Sequence, residues 1–294
     1  MKAKDRDSLH RFLFDQMPVR GEIAHLDASW RAALEQIDYP DVIRDLLGEA
    51  MAACVLLASS MKFEGGLTLQ LQGGKPLTFL VVQCTSTLNL RGLARWEGDL
   101  PEDGGLQALT GDDARMAITI EQKKNSERYQ GIVPLEGETL AKCFEDYFQR
   151  SEQLPTRLFL AATDECAAGM LLQVLPGHEG EDRAWEHVET LGETITPNEL
   201  LELDAPNILH RLYHEDDVRL FESTPVAFRC SCTRDRIADM LRSLGSAEAH
   251  EIVAEQGSVD VSCEFCGREY GFDAVDVEAL FSSDASSEGS RSTH

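Results

Sequence analysis

Phe228-Arg-Cys-Ser-Cys232 and Cys263-Glu-Phe-Cys266-Gly267 are the two stretches that decide how this chain is read. The first is a C-x-C and the second a C-x-x-C, with residues 233–262 between them. Two close thiol pairs brought together by one fold supply the four soft ligands of a tetrahedral Zn²⁺ site. A glycine directly after C-x-x-C permits a tight turn whose backbone N–H groups face the sulfurs. The intervening residues read as scaffolding. Thr233 to Leu244 predicts a helix stopped by Gly245, and Ser246 to Gln256 a second stopped by Gly257. Val259 to Phe272 predicts a hairpin with the C-x-x-C at its turn. A module this small, from Ala227 to about Phe281, has little core of its own and depends on a metal to fold. His250 is a further candidate ligand, but four cysteines already fill a tetrahedron.

The same four thiolates admit three roles. One is a structural zinc ribbon. A second is a nucleic-acid-binding zinc module, with Arg229, Arg234, Arg236, Arg242 and Arg268 around the site. The third is a redox switch, in which oxidation withdraws ligands two at a time and the module loses its folding energy with its metal. A thioredoxin-type oxidoreductase is weaker, because Cys263–Cys266 has no βαβ setting. The chain carries 52 acidic and 27 basic residues, a net charge of −25, which opposes contact with nucleic acid or an anionic membrane. The residues alone leave the structural and switching readings level.

Working outward, the N-terminal residues are charged with no apolar run behind them, so no signal peptide is expected. No apolar stretch approaches the length of a membrane span. A cytoplasmic protein is expected, where thiols stay reduced and eight cysteines read as ligands, redox groups or core residues rather than a disulfide scaffold. Cys54, Cys84, Cys143 and Cys166 stand alone in apolar or amphipathic segments and are expected to be small buried core residues.

Residues 1–177 read as one α+β domain: an antiparallel sheet with flanking helices. A strand-like run starts at Arg11-Phe-Leu-Phe-Asp15 and continues through Val19-Arg-Gly-Glu22. Asp41 to Met61 predicts a helix with a broad apolar face. Leu67, Leu69 and Leu71 alternate with polar residues, Gly73-Gly74 punctuates, and Leu77 to Leu88 predicts the returning strand of a hairpin. Met116, Ile118 and Ile120 alternate likewise, Thr139 to Gln153 reads as an amphipathic helix, and Phe159 to Ala162 and Met170 to Leu175 read as strands. Pro176-Gly177 marks a boundary. Residues 178–222 hold 13 acidic residues against Arg183, Arg211 and Arg219, yet keep helical apolar spacing from Trp185 to Leu212. This is a marginal helical linker (178–228) whose apolar face must borrow a partner surface. The cysteine module (229–281) follows, and 282–294 are expected to be a disordered tail.

The ordered set of motifs resembles the redox-regulated heat-shock chaperones of the 33-kilodalton class, bacterial holdases with a C-terminal zinc switch. Besides the cysteines it includes Arg11-Phe-Leu-Phe-Asp15, Val19-Arg-Gly-Glu22, Leu46-Leu-Gly-Glu49, Tyr129-Gln-Gly-Ile-Val-Pro-Leu-Glu136 and Tyr147-Phe-Gln-Arg-Ser-Glu-Gln-Leu-Pro-Thr156. Gly169-Met-Leu-Leu-Gln-Val-Leu-Pro176 and Tyr213-His-Glu-Asp-Asp-Val-Arg219 complete it. The resemblance implies a chaperone, not an enzyme, holding one Zn²⁺ through Cys230, Cys232, Cys263 and Cys266 when reduced. It implies that oxidation closes Cys263–Cys266 and then Cys230–Cys232, releases zinc, unfolds the module and frees the linker. It further implies binding of unfolding client proteins without ATP, a homodimer when oxidised, and hand-over to ATP-dependent chaperones. No Gly-rich phosphate loop of the G-x-x-x-x-G-K-[ST] type is present, in keeping with ATP-independence.

Overall fold

The computed structural model describes residues 6–101, 105–124, 127–178 and 182–285. The chain divides into two compact units, 1–229 and 230–294.

The first unit runs β1 (Ser8–Phe14), β2 (Val19–Leu26), α1 (Ala28–Leu34), α2 (Asp41–Ser60), β3 (Gly65–Gln72), β4 (Leu77–Thr85), β5 (Asn89–Trp96), α3 (Leu106–Thr110), β6 (Arg115–Gln122) and β7 (Arg128–Pro134). It continues through α4 (Leu140–Tyr147), β8 (Thr156–Ala162), β9 (Ala167–Val174), α5 (Asp182–Gly192), α6 (Pro197–Glu202) and α7 (Ala205–Tyr213), and closes with the short strands β10 (Val218–Leu220), β11 (Thr224–Pro225) and β12 (Ala227–Phe228). The fold is α+β. The strands form two six-stranded sheets rather than one: β10-β1-β2-β9-β8 with β11 also on β1, and β12-β5-β4-β3-β6-β7. Every pairing in them is antiparallel except β12 on β5.

Helix α2 lies between the sheets, touching β2, β8 and β9 of the first and β3, β4 and β5 of the second. Its residues from Leu46 to Ala58 are buried nearly without interruption and apolar apart from Glu49, as a helix stretch enclosed on all sides must largely be. The first sheet is covered on both sides. Leu171 of β9 faces the core around α2, while Ala168, Met170 and Leu172 join a second core beneath α5, α6 and α7. This double cover is why Ala167–Val174 reads as a continuous buried run instead of alternating.

The structure departs from the sequence reading at several points. The run from Arg11 to Glu22 is two antiparallel strands, because Pro18 lacks an N–H and the chain turns at Asp15–Pro18, pairing Leu13 with Arg20. Gly21 is required there: Phe12 lies across it, and a Cβ would meet the ring at 2.0 Å. The helix predicted to Gln153 ends at Tyr147 and passes into one wide turn, Phe148–Glu152, closed by Gln153 at φ 56. The strand predicted to Leu88 stops at Thr85, where a turn brings in β5. Cys54, Cys84 and Cys143 are buried, but Cys166 is only half-buried, at the β8–β9 turn.

The segment set apart as a linker lies within the compact bounds of the first unit. Its helical spacing produces α5 to α7, but residues 218–228 extend the two sheets as β10, β11 and β12, since backbone left at a strand edge finds its partners there.

The second unit runs α8 (Arg234–Leu244), α9 (Ser246–Gln256), β13 (Ser258–Ser262), β14 (Glu269–Asp273) and α10 (Ala274–Ala285). Thr233 caps α8 through its side chain, Gly245 and Gly257 end the two helices, and β13 pairs with β14. The tail expected to be disordered from Ser282 is helical to Ala285, and 286–294 lie outside the described residues.

Candidate metal centre

Cys230 and Cys232 sit on the extended chain leading into α8, and Cys263 and Cys266 on the turn between β13 and β14. The ladder from Ser258↔Asp273 to Ser262↔Glu269 fixes that turn. Cys263 donates its N–H to Arg268 O at 2.9 Å, and its own carbonyl accepts from Cys266 (3.2 Å) and Gly267 (2.7 Å). Gly267 adopts φ 64, a left-handed conformation that suits glycine.

The four Sγ atoms all lie within 4.8 Å of one another. Two contacts cross between the pairs: Cys230 to Cys263 at 3.6 Å and Cys232 to Cys266 at 3.4 Å. With metal–sulfur bonds of ~2.3 Å, the edge of a tetrahedral S₄ set is about 3.8 Å, so the donors are spaced for one ion of the zinc type. Electrostatics agree. Burial and the neighbouring sulfurs push the Cys266 thiol up to about 12, against the pull of the Arg268 N–H. Burial likewise raises Cys263, opposed by the N–H groups of Phe265 and Cys266. Without a cation these groups hold their protons; a dication among them offsets the repulsion and leaves thiolates.

Tyr270 donates its hydroxyl to Cys232 Sγ at 3.2 Å, a contact the sequence did not reveal, since only the hairpin register brings it there. Arg268 interacts with Tyr270 and with the Cys232 and Cys266 sulfurs. Arg234, Arg236 and Arg242 are occupied. Arg234 bonds Gly271 O and Asp276 and lies 4.2 Å over the Phe272 ring; Arg236 bonds Ser231; Arg242 pairs with Asp239. His250 stays out of the cluster, held by Ser246 O and Glu278. The module's core is small: Ala238, Leu241, Ala249, Val259, Tyr270, Phe272 and Val277.

In the first unit, α5 to α7 cover an apolar face of the first sheet. Val188, Leu200, Ala205, Ile208, Leu209, Leu212 and Tyr213 pack with Phe12, Phe14, Val19, Ile23, Met170 and Leu172. Polar ties surround that contact. His25 of β2 meets Leu200 O at 2.8 Å, and Tyr213 donates to Val188 O at 3.0 Å. Arg157 of β8 pairs with Glu189 and Glu193 of α5. Two of the linker's many carboxylates serve as caps, Glu199 in a capping box with Thr196 and Asp204 on the Asn207 N–H. Among the described residues no helix is long and apolar enough to cross a membrane.

Residues 7–273 match the family model described as Hsp33 protein. The 33 kDa chaperonin of Nitrosococcus oceani is 50% identical over 277 residues, covering 94% of this chain and 95% of its own. That of Shewanella denitrificans is 49% identical over 280 residues, covering 95% and 96%. The crystal structure of the 33 kDa chaperonin from Thermotoga maritima matches with a TM-score of 0.79 at 20% identity, covering 96% of this chain and 100% of that one, a likeness of fold.

Proposed function

Because the chain belongs to the Hsp33 family, molecular chaperones and not enzymes, we propose that it is a redox-regulated, ATP-independent holdase switched by its four-cysteine centre. The observation that carries this reading is the convergence of Cys230, Cys232, Cys263 and Cys266 within 4.8 Å. Zinc, when bound there, supplies positive charge that keeps the sulfurs as thiolates and cross-links the C-x-C to the hairpin turn.

The residues then act as follows. Reduced Cys230, Cys232, Cys263 and Cys266 hold the module folded, on the order of 10 kcal/mol for a structural site, against a small core that supplies a few kcal/mol at most. Peroxide takes two electrons from the Cys263 and Cys266 thiolates: the S–S bond forms, the O–O bond breaks, and the two oxygens take two protons from solvent and leave as two waters. Cys230 and Cys232 follow once the backbone is free to distort, since their C-x-C ring is strained. A disulfide no longer offers thiolate ligands, so the module loses its staple. Strand β12 and the Arg229 N–H bond to Leu90 O immediately precede Cys230 in the chain, which makes the end of the linker the first part to feel the loss. Helices α5 to α7 then leave the first sheet, and apolar surface on both becomes available to unfolding proteins. A homodimer of the oxidised form, transfer of clients to ATP-dependent chaperones and a cytoplasmic location complete the proposal. The net charge of −25 opposes self-aggregation of the opened form.

The test is light scattering of a chemically unfolded client diluted into the zinc-loaded reduced protein or the peroxide-treated protein. Suppression by the oxidised form alone, reversed by dithiothreitol, is the expected result. Equal behaviour of the two forms returns the cysteines to a structural role.

A further inference from the structure

Two histidines lie buried under the linker. His10 of β1 is 6% exposed and His25 of β2 is 8% exposed. The register pairs Ser8 with His25 and His10 with Ile23, which puts both imidazoles on the face that carries Ile23, the face covered by α5 to α7. His25 Nε2 reaches Leu200 O on α6 at 2.8 Å, and Leu200 itself is buried in that same core. A neutral ring donating Nε2–H satisfies this contact; a charged ring would have to be held almost without water.

We propose that His25 is an acid-sensitive latch: protonation of its imidazole favours release of α6 and α7 from the first sheet, adding to the oxidative switch. This rests on the reading that α5 to α7 are a detachable cover. The charged and titratable groups facing His25 are His10 on β1, Arg6 on the segment before it, and Asp204 at the start of α7. Two are basic and one is acidic. Burial, followed by His10 and Arg6, disfavours the charged ring, while the Leu200 carbonyl and Asp204 favour it; the net direction is downward. Glu22 on the same strand belongs to the other face, where it meets Ser59 of α2.

The sign follows from linkage. A histidine whose pKa is lower when docked than when exposed binds more protons in the open form. Docking is therefore fully supported above the ordinary value of 6.5 and weakens as pH falls below it. For a ring that stays neutral while docked, the opening equilibrium grows about tenfold between pH 7.5 and 5.5. Glu22 responds the opposite way: burial raises it from 4.5 to about 7, so acidification through that window stabilises the body of the unit. Acid thus loosens the cover while tightening what lies beneath it.

Hydrogen exchange of α6 and α7 in the reduced, zinc-loaded full chain, corrected for intrinsic rates, tests this at pH 7.5 and 5.5, with bound zinc measured in each sample. More opening at pH 5.5 is expected for the wild type, severalfold and at most about tenfold. H25Q, whose amide can still donate to Leu200 O, is expected to change less than twofold. An unchanged wild type, or an equal response in H25Q, overturns the proposal. An NMR titration of the His25 ring in the wild type needs no variant: a docked ring that titrates near 6.5 also overturns it. Peroxide activation at pH 7.5, measured in parallel on the same samples, reports on the redox reading separately.

Discussion

Helix α2 and the helices α5 to α7 cover opposite faces of the same sheet, and they do so in different ways. Helix α2 is buried from Leu46 to Ala58 and belongs to a core that draws on both sheets. Helices α5 to α7 are short, bury one stripe each, and keep their remaining faces polar and exposed, rich in carboxylates on α5 and α6 and carrying His210 and Arg211 on α7. Isolated helices of their length are marginal in water, so their order comes from the sheet beneath them. Strand β9 records both covers at once, in a run buried residue after residue. One face of the sheet is covered by a helix that shares its core with both sheets, and the other by short helices that pack only on the first sheet, the elements proposed above to leave on oxidation.

The largest effect that bears on this contrast acts from outside it. C263S removes one of the four ligands; the expected outcome is loss of most bound zinc and of reversible activation, checked by metal analysis and client scattering. A variant that keeps stoichiometric zinc and normal peroxide switching would break the link between the centre and the cover. Next come paired changes on the two sides of the sheet. Met51→Ala in α2 opens a cavity in the closed core and should cost about 2–5 kcal/mol of unfolding free energy for the whole unit, read by thermal or denaturant unfolding. Leu209→Glu in α7 should instead leave that transition nearly in place while giving chaperone activity without oxidant, read by light scattering. If Leu209→Glu unfolds the unit as Met51→Ala does, the two covers are not distinct. A smaller, pH-dependent effect comes from Glu22. Its contribution to stability is full at pH 4.5 and below and is lost as pH rises through about 7. E22Q should flatten that part of the stability profile, measured as unfolding midpoint against pH. The smallest effect is expected from Arg157→Ala, which frees Glu189 and Glu193 at the edge of the cover. Partly exposed pairs of this kind contribute about 0–1 kcal/mol, so exchange in α5 should rise no more than severalfold, and less in high salt.

The cysteine cluster and its scaffold were almost wholly legible in the sequence, because their signals are local: cysteine spacing, a glycine after the second pair, helix stops at Gly245 and Gly257, and a hairpin between Val259 and Phe272 all act over a few residues. Tyr270 at the Cys232 sulfur was not, since it depends on hairpin register. In the first unit, the β3–β4 hairpin and the long helix were readable from period and punctuation, whereas the turn between β1 and β2 was not. Their sorting into two sheets around α2 was not, because a buried helix and a buried strand both appear as unbroken apolar runs. The sequence also showed that the linker must borrow a surface. It did not show which one, or that residues 218–228 would serve as edge strands, for those pairings join residues from about 140 to more than 200 positions apart. His25 stayed hidden for the same reason, its partner being a backbone carbonyl on α6.

Hydrogen exchange on α2 and on α5 to α7, followed in one sample before and after peroxide, tests the central contrast most directly. Amides of α5 to α7 are expected to lose protection on oxidation and regain it with dithiothreitol and zinc, while those of α2 stay protected throughout. Protection of α5 to α7 that survives full oxidation of the four cysteines, or that is lost together with that of α2, would contradict it.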